Sequence, residues 1–541
     1  MQGLNPALLI LTLIPIAVIL VMLIIWRKPA DTSGIVGWLA ISIVAFFFFS
    51  TSFNVIWRST LAGFIRSFSV SLMVAASLLQ VTFMEKTGSL KRIVILIKTI
   101  ASDNRAVQIM LINIGFGTLM VAVGQTPVSL LPPILIAMGY GTYAAIALPA
   151  IGYDSLCTYA LLGAPIVVFV DLANSFLGKG HEITLSQAGH VFWMFLPIVS
   201  TLIGFSMLWI VGKWKDIKQG WLPCIITGAT ILVVSYFTNS FDNIVCLTGV
   251  FSGAAVIVVM CLYLALSGKK IIDKSKLTKE ELAYEKRYPL WRALMPLMLL
   301  VFLILILNVP KSIFNLLYYK LLFPVTGLTA NNAPIATRWL WSAYTWVVVS
   351  TLLAIPFMRT TGGQVKDTLK TWGKRAYRPT FSTAIFFAIG EIMNMTGYNT
   401  LFNVDKKAPP FLVPSMVKVL ADYSAATFHQ AYGGVVGFIG LLGGFITGSE
   451  TSAIAMFSKY TMTTGKELGW GLRGMIILTA GMAFGSGLAS VISPAKLQNA
   501  AASIDKVGEE TKVIRVAFVF SIFMTLVTSA FVLIFLATTA G

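Results

Sequence analysis

Thr447-Gly448-Ser449-Glu450-Thr451-Ser452 places five oxygen-bearing side chains in six residues, between the apolar stretches 440–446 and 453–457. Bare backbone groups in hydrocarbon cost several kcal/mol each, so such a break must line a cavity or be buried in protein. Its hydroxyls and freed N–H groups suit a carboxylate, and Glu450 suits a proton or a cation. An acid that merely caps the following helix near a water boundary is the competing reading. A weaker echo stands in the first half at Gly124-Gln125-Thr126-Pro127-Val128-Ser129, followed by Pro132-Pro133. Proline near a helix start loses nothing by lacking its N–H, and the N–H groups around Gly124–Thr126 can face an anion. A plain proline kink competes there.

Gly124, Gln125, Thr126 and Ser129 therefore form one candidate substrate-binding set, and Gly448, Ser449, Thr451 and Ser452 the other. Glu450, Asp154 and Glu391 are the candidates for proton or ion coupling. Asp154 interrupts a largely apolar run from Tyr143 to Val170, and Glu391 stands in Gly390-Glu391-Ile392-Met393-Asn394. For both, coupling competes with a structural pair to a lysine or hydroxyl. Lys496 is either a counter-charge for an anion or a snorkelling interfacial lysine.

The elements that must hold these residues are membrane helices. Of 541 residues, 57% are hydrophobic and only 11% charged, against roughly 25% charged in soluble domains. Mean hydropathy is +0.84. Apolar runs long enough to span recur throughout, as at 6–26, 191–211, 243–267 and 516–536. The expected fold is an all-α polytopic membrane protein with about 11–14 membrane segments. Spans are expected near 4–26, 34–52, 60–83, 106–123, 142–170, 190–211, 220–239, 243–267, 291–308, 336–358, 378–396, 431–447, 472–493 and 513–538. Short segments at 124–139 and 448–463 read as half-helices or re-entrant pieces.

The two halves share an order of features. Met84-Glu85-Lys86-Thr87-Gly88 ends a helix in one, and Met393-Asn394-Met395-Thr396-Gly397 in the other. An amphipathic stretch follows each, then a glycine-containing helix, a polar break and a small-residue turn at 162–165 or 491–494. This predicts two pseudo-symmetric, inverted repeats with broken helices, the arrangement of many secondary transporters. The organisation is a first membrane half over 1–267 with its break at 124–133, a charged loop over 268–290, and a second half over 291–541 with its break at 447–452. Gly433, Gly437, Gly440, Gly444 and Gly448 recur at the small-residue spacing that lets helices approach closely.

The net charge of +19 does not point to nucleic acid, because the basic residues sit mostly in short loops. Stretch 268–292 carries eight Lys/Arg and four acidic residues and is expected on the cytoplasmic side. Such loops also meet anionic lipid. The four cysteines show no metal spacing, and His181, His190 and His429 form no ligand pattern. No metal site and no cofactor are expected. The chain has no Walker A motif and no catalytic nucleophile–base set, so it reads as a transporter and not an enzyme. The first apolar run reads as a retained helix, not a signal peptide.

Phe445-Ile446-Thr447-Gly448-Ser449-Glu450-Thr451-Ser452 resembles the F-L-T-G-S-[DE]-T-S signature of the L-lactate permease family. Ile492-Ser493-Pro494, Ala500-Ala501 and Val507-Gly508 resemble that family's C-terminal pattern, and Lys86-Thr87-Gly88, Gly115-Phe116-Gly117, Tyr143-Ala144-Ala145 and Gly163-Ala164-Pro165-Ile166 also fit. The resemblance implies import of small 2-hydroxymonocarboxylates such as lactate or glycolate across the plasma membrane, coupled to H+, with inverted repeats and elevator-like movement. It places the substrate between the breaks 124–129 and 448–452. One departure stands out. The family's first break reads E-G-A-A-G-F-G-A-P, and its acid falls on Val121 here. Asp154 or Glu450 would then carry the proton. Na+-coupled transport of another carboxylate and a passive anion channel are the alternatives. The expected partners are the organic anion and membrane lipid; a homo-oligomer is compatible with the sequence.

Overall fold

The computed structural model describes residues 5–26, 28–100, 104–125, 127–178, 180–493, 496–497, 500–501, 503–506 and 509–539. Among these, eleven helices are long and apolar enough to cross a membrane. They divide into an inner and an outer set. The most apolar 18-residue window is 89% buried in Thr142–Leu177 and in Leu472–Ala489, and 83% in Arg105–Ala122. It is only 28% buried in Pro6–Ile25 and in Leu290–Asn308. Outward residues such as Phe47, Phe53, Leu266 and Val519 are exposed. A helix with an apolar outer face and an apolar inner face belongs in lipid. The chain is a multi-pass membrane protein of the cell membrane.

Left-handed glycines punctuate both halves in one order. Gly88 (φ +77°) and Gly397 (φ +75°) follow the helices Phe68–Lys86 and Gly362–Met395. Gly124 (φ +86°) and Gly448 (φ +66°) sit at the polar breaks. Gly139 (φ +89°) and Gly469 (φ +79°) close the helices that follow, Pro127–Ala137 and Glu450–Glu467. Residues with a Cβ pay for positive φ, so these turns select glycine. Of the amphipathic stretches expected at 89–101 and 411–420, the first forms the helix Ser89–Lys98, while only the end of the second is helical, within Met416–Phe428.

Tertiary structure departs from the expected spans in three places. The span expected at 190–211 starts instead at Leu196, after the separate short helix Leu185–Trp193, and it meets the helix that holds 220–239 at a sharp kink, where Gly212 and Lys213 (φ +51°) leave helical geometry. A Cβ at 212 would stand 2.1 Å from the Asp216 carboxyl, so that side chain would have to move aside for any residue larger than glycine. The segment 378–396 is the C-terminal half of the 34-residue helix Gly362–Met395. That helix starts in a capping box, where Thr361 and Gln364 satisfy each other's backbone N–H. Its basic first half and apolar second half hid its length. Third, residues 315–342 hold a short antiparallel hairpin, Pro324–Val325 against Ile335–Ala336, where a span from 336 was expected. Arg338 anchors it, donating from Nη1 to Asp171 Oδ1 and Oδ2 at 3.0 and 2.9 Å while stacking on Tyr318.

The charged segment 268–290 is pinned to the first half. Its helix Lys279–Arg287 lies beside Ser89–Lys98. Lys98 Nζ donates to Glu281 Oε1 at 2.5 Å, Arg92 Nη2 to Glu285 Oε1 at 3.0 Å, and the Tyr284 hydroxyl to Gly88 O at 2.9 Å.

A glycine seam joins Tyr432–Thr447 to Leu472–Ala489. Added Cβ atoms at Gly440 and Gly444 would lie 1.8 Å from Met482 O and 2.1 Å from Ser486 O. One at Gly485 would lie 2.0 Å from Gly437 O. Backbone therefore meets backbone along this seam, which carries the polar break at its end.

Candidate functional site

The second break is a turn between two helices. Tyr432–Thr447 ends at Gly448, in the left-handed region, and Ser449 caps Glu450–Glu467 by accepting from Ser452 N at 3.4 Å. Thr447 Oγ1 accepts from Ser449 N at 3.2 Å and donates to Gly443 O at 2.9 Å. The hydroxyl of Thr447 and the cap at Ser449 thus take up backbone groups that the broken helix frees. Glu450, Thr451 and Ser452 are all buried.

Glu450 reaches across to the first half. Its Oε1 accepts from Thr158 Oγ1 at 2.6 Å. Its Oε2 has no hydrogen-bond partner among the described residues, and Cys157 lies near the carboxyl. Gly487 makes room for that oxygen, because a Cβ there would stand 2.9 Å from Oε2. Asp154 and Lys496 both lie close enough to act electrostatically on this carboxyl. Asp154 is itself buried at 2% exposure. Glu450, Asp154, Cys157 and Thr158 thus make one buried polar cluster, with the half-buried Lys496 nearby.

The first-half contribution comes from an interruption after residue 152. Tyr153–Tyr159 is a 3-10 turn with non-helical dihedrals at Leu156, and Leu161, Leu162 and Gly163 all have positive φ. Gly163 fits under Cys246, where a Cβ would approach Cys246 Cα to 2.8 Å. The strained backbone turns Thr158 toward Glu450 and sends the chain on through the helix Ala160–Leu177.

The break near residue 124 is differently occupied. Gln125 is buried, and its Nε2 donates to Gln80 Oε1 at 3.0 Å; Gln80 Nε2 donates in turn to Ser350 Oγ at 3.1 Å. A Cβ at Gly124 would meet Met73, Ser77 and Leu161. Pro127 opens the following helix. Thr126 lies outside the described residues, as does the side chain of Ser129. Among the described residues no hydrogen bond joins Gly124–Gln125 to Gly448–Ser452.

Glu391 belongs to a second polar group. It is 4% exposed and pairs with Arg66, whose Nε stands 3.6 Å from Glu391 Oε2. Both line a cavity of about 330 Å³ walled by the helices Ala160–Leu177 and Gly362–Met395, the hairpin region 331–342 and Ala455. Sequence reasoning did not single out Thr158, Gly487 or Arg66. Arg66 carried a readable signal, a charge inside an expected apolar span. Thr158 carried none, because its role depends on a contact 292 residues away in the chain. Among the described residues no group of His, Cys, Asp and Glu is arranged to hold a metal ion.

Comparison with known proteins adds a family. The model for L-lactate permease matches residues 8–538. The chain is 21% identical over 525 residues to the L-lactate permease of Salmonella typhi, covering 92% of this chain and 85% of that one. It is 22% identical over 511 residues to the L-lactate permease of Escherichia coli strain K12, covering 88% and 83%. It is 21% identical over 556 residues to the glycolate permease GlcA of the same strain, covering 95% and 93%. Among solved structures it is similar to the Alcanivorax borkumensis YdaH transporter, at 10% identity and a TM-score of 0.46, over 89% of this chain and 88% of that one. With the match running nearly from end to end, the chain belongs to the L-lactate permease family.

Proposed function

We propose that this protein is a secondary carrier that moves a small 2-hydroxymonocarboxylate, such as lactate or glycolate, into the cell together with H+. Glu450 is the proton-binding group. The observation that carries this reading is the setting of that carboxyl: buried, held by one hydroxyl at 2.6 Å, with its second oxygen lacking a conventional donor. A bare charge is costly in such a place, and a proton removes the cost. The names of the relatives support the substrate class.

Glu450 links the two halves through Thr158, so loading and unloading its proton alters a contact between them. Alternating access follows by an elevator-like shift of the bundle that carries the break at 447–452 and the glycine seam. Asp154, in the same cluster, and Lys496 nearby tune the field at Glu450.

The test is uptake of labelled L-lactate into proteoliposomes under an imposed pH gradient, acid outside. Wild type accumulates lactate, and replacing Na+ with choline at constant pH leaves accumulation unchanged. Glu450→Gln folds and inserts but no longer accumulates substrate against a gradient. Wild-type accumulation by Glu450→Gln, or loss of accumulation without Na+, sinks the proton reading.

A further inference from the structure

The cavity beside Glu391 runs from the surface into the bundle. Its exposed lining comes from Ser175, Gly178 and Glu182, at and after the end of the helix Ala160–Leu177, and from Asn331 and Pro334 of the hairpin region. Its buried lining includes Phe387, Glu391 and Ala455. Ala455 follows Glu450 by five residues on one helix, about 7–8 Å along its axis. The helix Phe68–Lys86 sets the side of the membrane. Ser69 at its start lines the cavity, and Gly88 just past its end bonds Tyr284 of the charged segment 268–290. Its 19 residues rise about 28 Å, close to a hydrocarbon thickness of about 30 Å. With the charged segment on the cytoplasmic side, the cavity faces outside. Its buried charges are internally paired, Arg66 with Glu391 and Arg338 with Asp171, so the wall is polar without a free charge to trap a solute.

Two differently anchored parts meet at this cavity. The hairpin region is tied to other elements: Arg58 Nη2 donates to Gly327 O at 2.7 Å, and Asn403 Nδ2 to Ala330 O at 2.8 Å. The helix Ala160–Leu177 instead follows Thr158, the residue that donates to Glu450. Among the described residues, the only hydrogen bonds between 321–342 and this helix are those from Arg338 to Asp171. Arg338 Nε also donates to Tyr318 O at 3.0 Å, so the guanidinium is held by its own segment while it reaches across. Its backbone lies in the left-handed region (φ +42°). That geometry is costly for a residue with a Cβ, and such strain gathers at ligand clamps and switch regions.

We propose that this cavity is the carrier's outer vestibule, and that the Arg338–Asp171 pair is a clasp that holds the outward-facing form. The clasp parts when the helix Ala160–Leu177 moves with the Glu450 bundle, and it closes on return. An ion pair within reach of water suits that task, because its charges are rehydrated when it opens and its rupture costs little. This inference rests on the carrier reading above. It adds the side of entry and a contact made in only one of the carrier's two states.

The experiment reads the outward-facing form by thiol labelling of the full-length protein in intact cells. A membrane-impermeant maleimide is added outside to the Ser69→Cys variant, and the chain with only its four own cysteines gives the background. Ser69→Cys is labelled from outside. Adding Asp171→Asn slows that labelling by up to roughly 10-fold, the population shift for losing one charged hydrogen-bonded pair. Arg338→Lys slows it less. In the chain without Ser69→Cys, joining Asp171→Cys to Arg338→Cys with a short reducible bifunctional thiol reagent stops lactate uptake, and reduction restores it, a reversal that misfolding cannot imitate. The same reagent on either single variant leaves uptake unchanged. No labelling of Ser69→Cys from outside, labelling that Asp171→Asn leaves unchanged or speeds, or full uptake by the bridged protein overturns the clasp even while wild type takes up lactate. Should wild type take up neither lactate nor glycolate, the carrier reading falls and the clasp with it. Should Asp171→Asn fail to fold, Arg338→Lys and the reducible bridge decide.

Discussion

Replacing Gly440 with alanine tests the packing argument most sharply. The new Cβ would stand 1.8 Å from Met482 O, about half of an ordinary contact of roughly 3.5–4 Å. The obstacle is a backbone carbonyl on a neighbouring helix, so no rotamer change relieves it. The helices Tyr432–Thr447 and Leu472–Ala489 would have to separate by about 1.5–2 Å, losing dispersion contacts along the seam. Overpacking of this kind costs about 1–3 kcal/mol, and an unyielding obstacle puts Gly440→Ala at or above the upper end. Gly373 is the control. It lies inside the helix Gly362–Met395 with nothing within 4 Å of an added Cβ. Alanine there raises helix propensity by about 0.8–1 kcal/mol. Thermal unfolding of both variants in detergent, followed by intrinsic fluorescence, gives the comparison. Gly440→Ala melts several degrees below wild type and Gly373→Ala at or above it. A Gly440→Ala protein that melts with wild type would refute the backbone-to-backbone seam.

The Gln125–Gln80 bond gives a second measurement. Gln125→Leu leaves Gln80 Oε1 buried without its donor and costs about 1–3 kcal/mol, read as a lower melting temperature. Gln80→Leu in the same chain recovers part of that loss, because the orphaned acceptor is gone. The segment 268–290 supplies a pH dependence. Partial burial pushes the Glu281 carboxyl up, but hydrogen bonds from Lys98 and from the Thr278 backbone outweigh it and hold the carboxyl below its ordinary value. A depressed carboxyl stabilises the folded contact above the ordinary glutamate value of about 4.3, and that stability is lost as pH falls through the lower folded value. Hydrogen exchange in 279–287 should stay slow from pH 7 to about 5, after correction for intrinsic rates, and rise in more acid solution. Lys98→Ala should raise it already at pH 7.

Much of the scaffold was legible in the chain itself. Hydropathy marked the membrane segments because lipid demands about 20 apolar residues per crossing. It failed where a helix is charged along half its length, as in Gly362–Met395. The hairpin at 324–336 gave no periodic signal, since strands of two residues are too short to carry one. The punctuating glycines at 88, 124, 397 and 448 were readable, because positive φ selects glycine locally.

The site divides along the same line. Sequence alone determined that Glu450 sits in a polar break and that Glu391 and Asp154 are acids set in largely apolar stretches, because composition and spacing along the chain show both. Only tertiary structure decided their company. Thr158 meets Glu450, Gln125 goes to Gln80, and Arg66 pairs with Glu391 on the wall of a cavity. Local spacing carries backbone strain and hydrophobicity. A hydrogen bond between residues hundreds of positions apart depends on how whole helices pack, and that is a property of the assembled bundle.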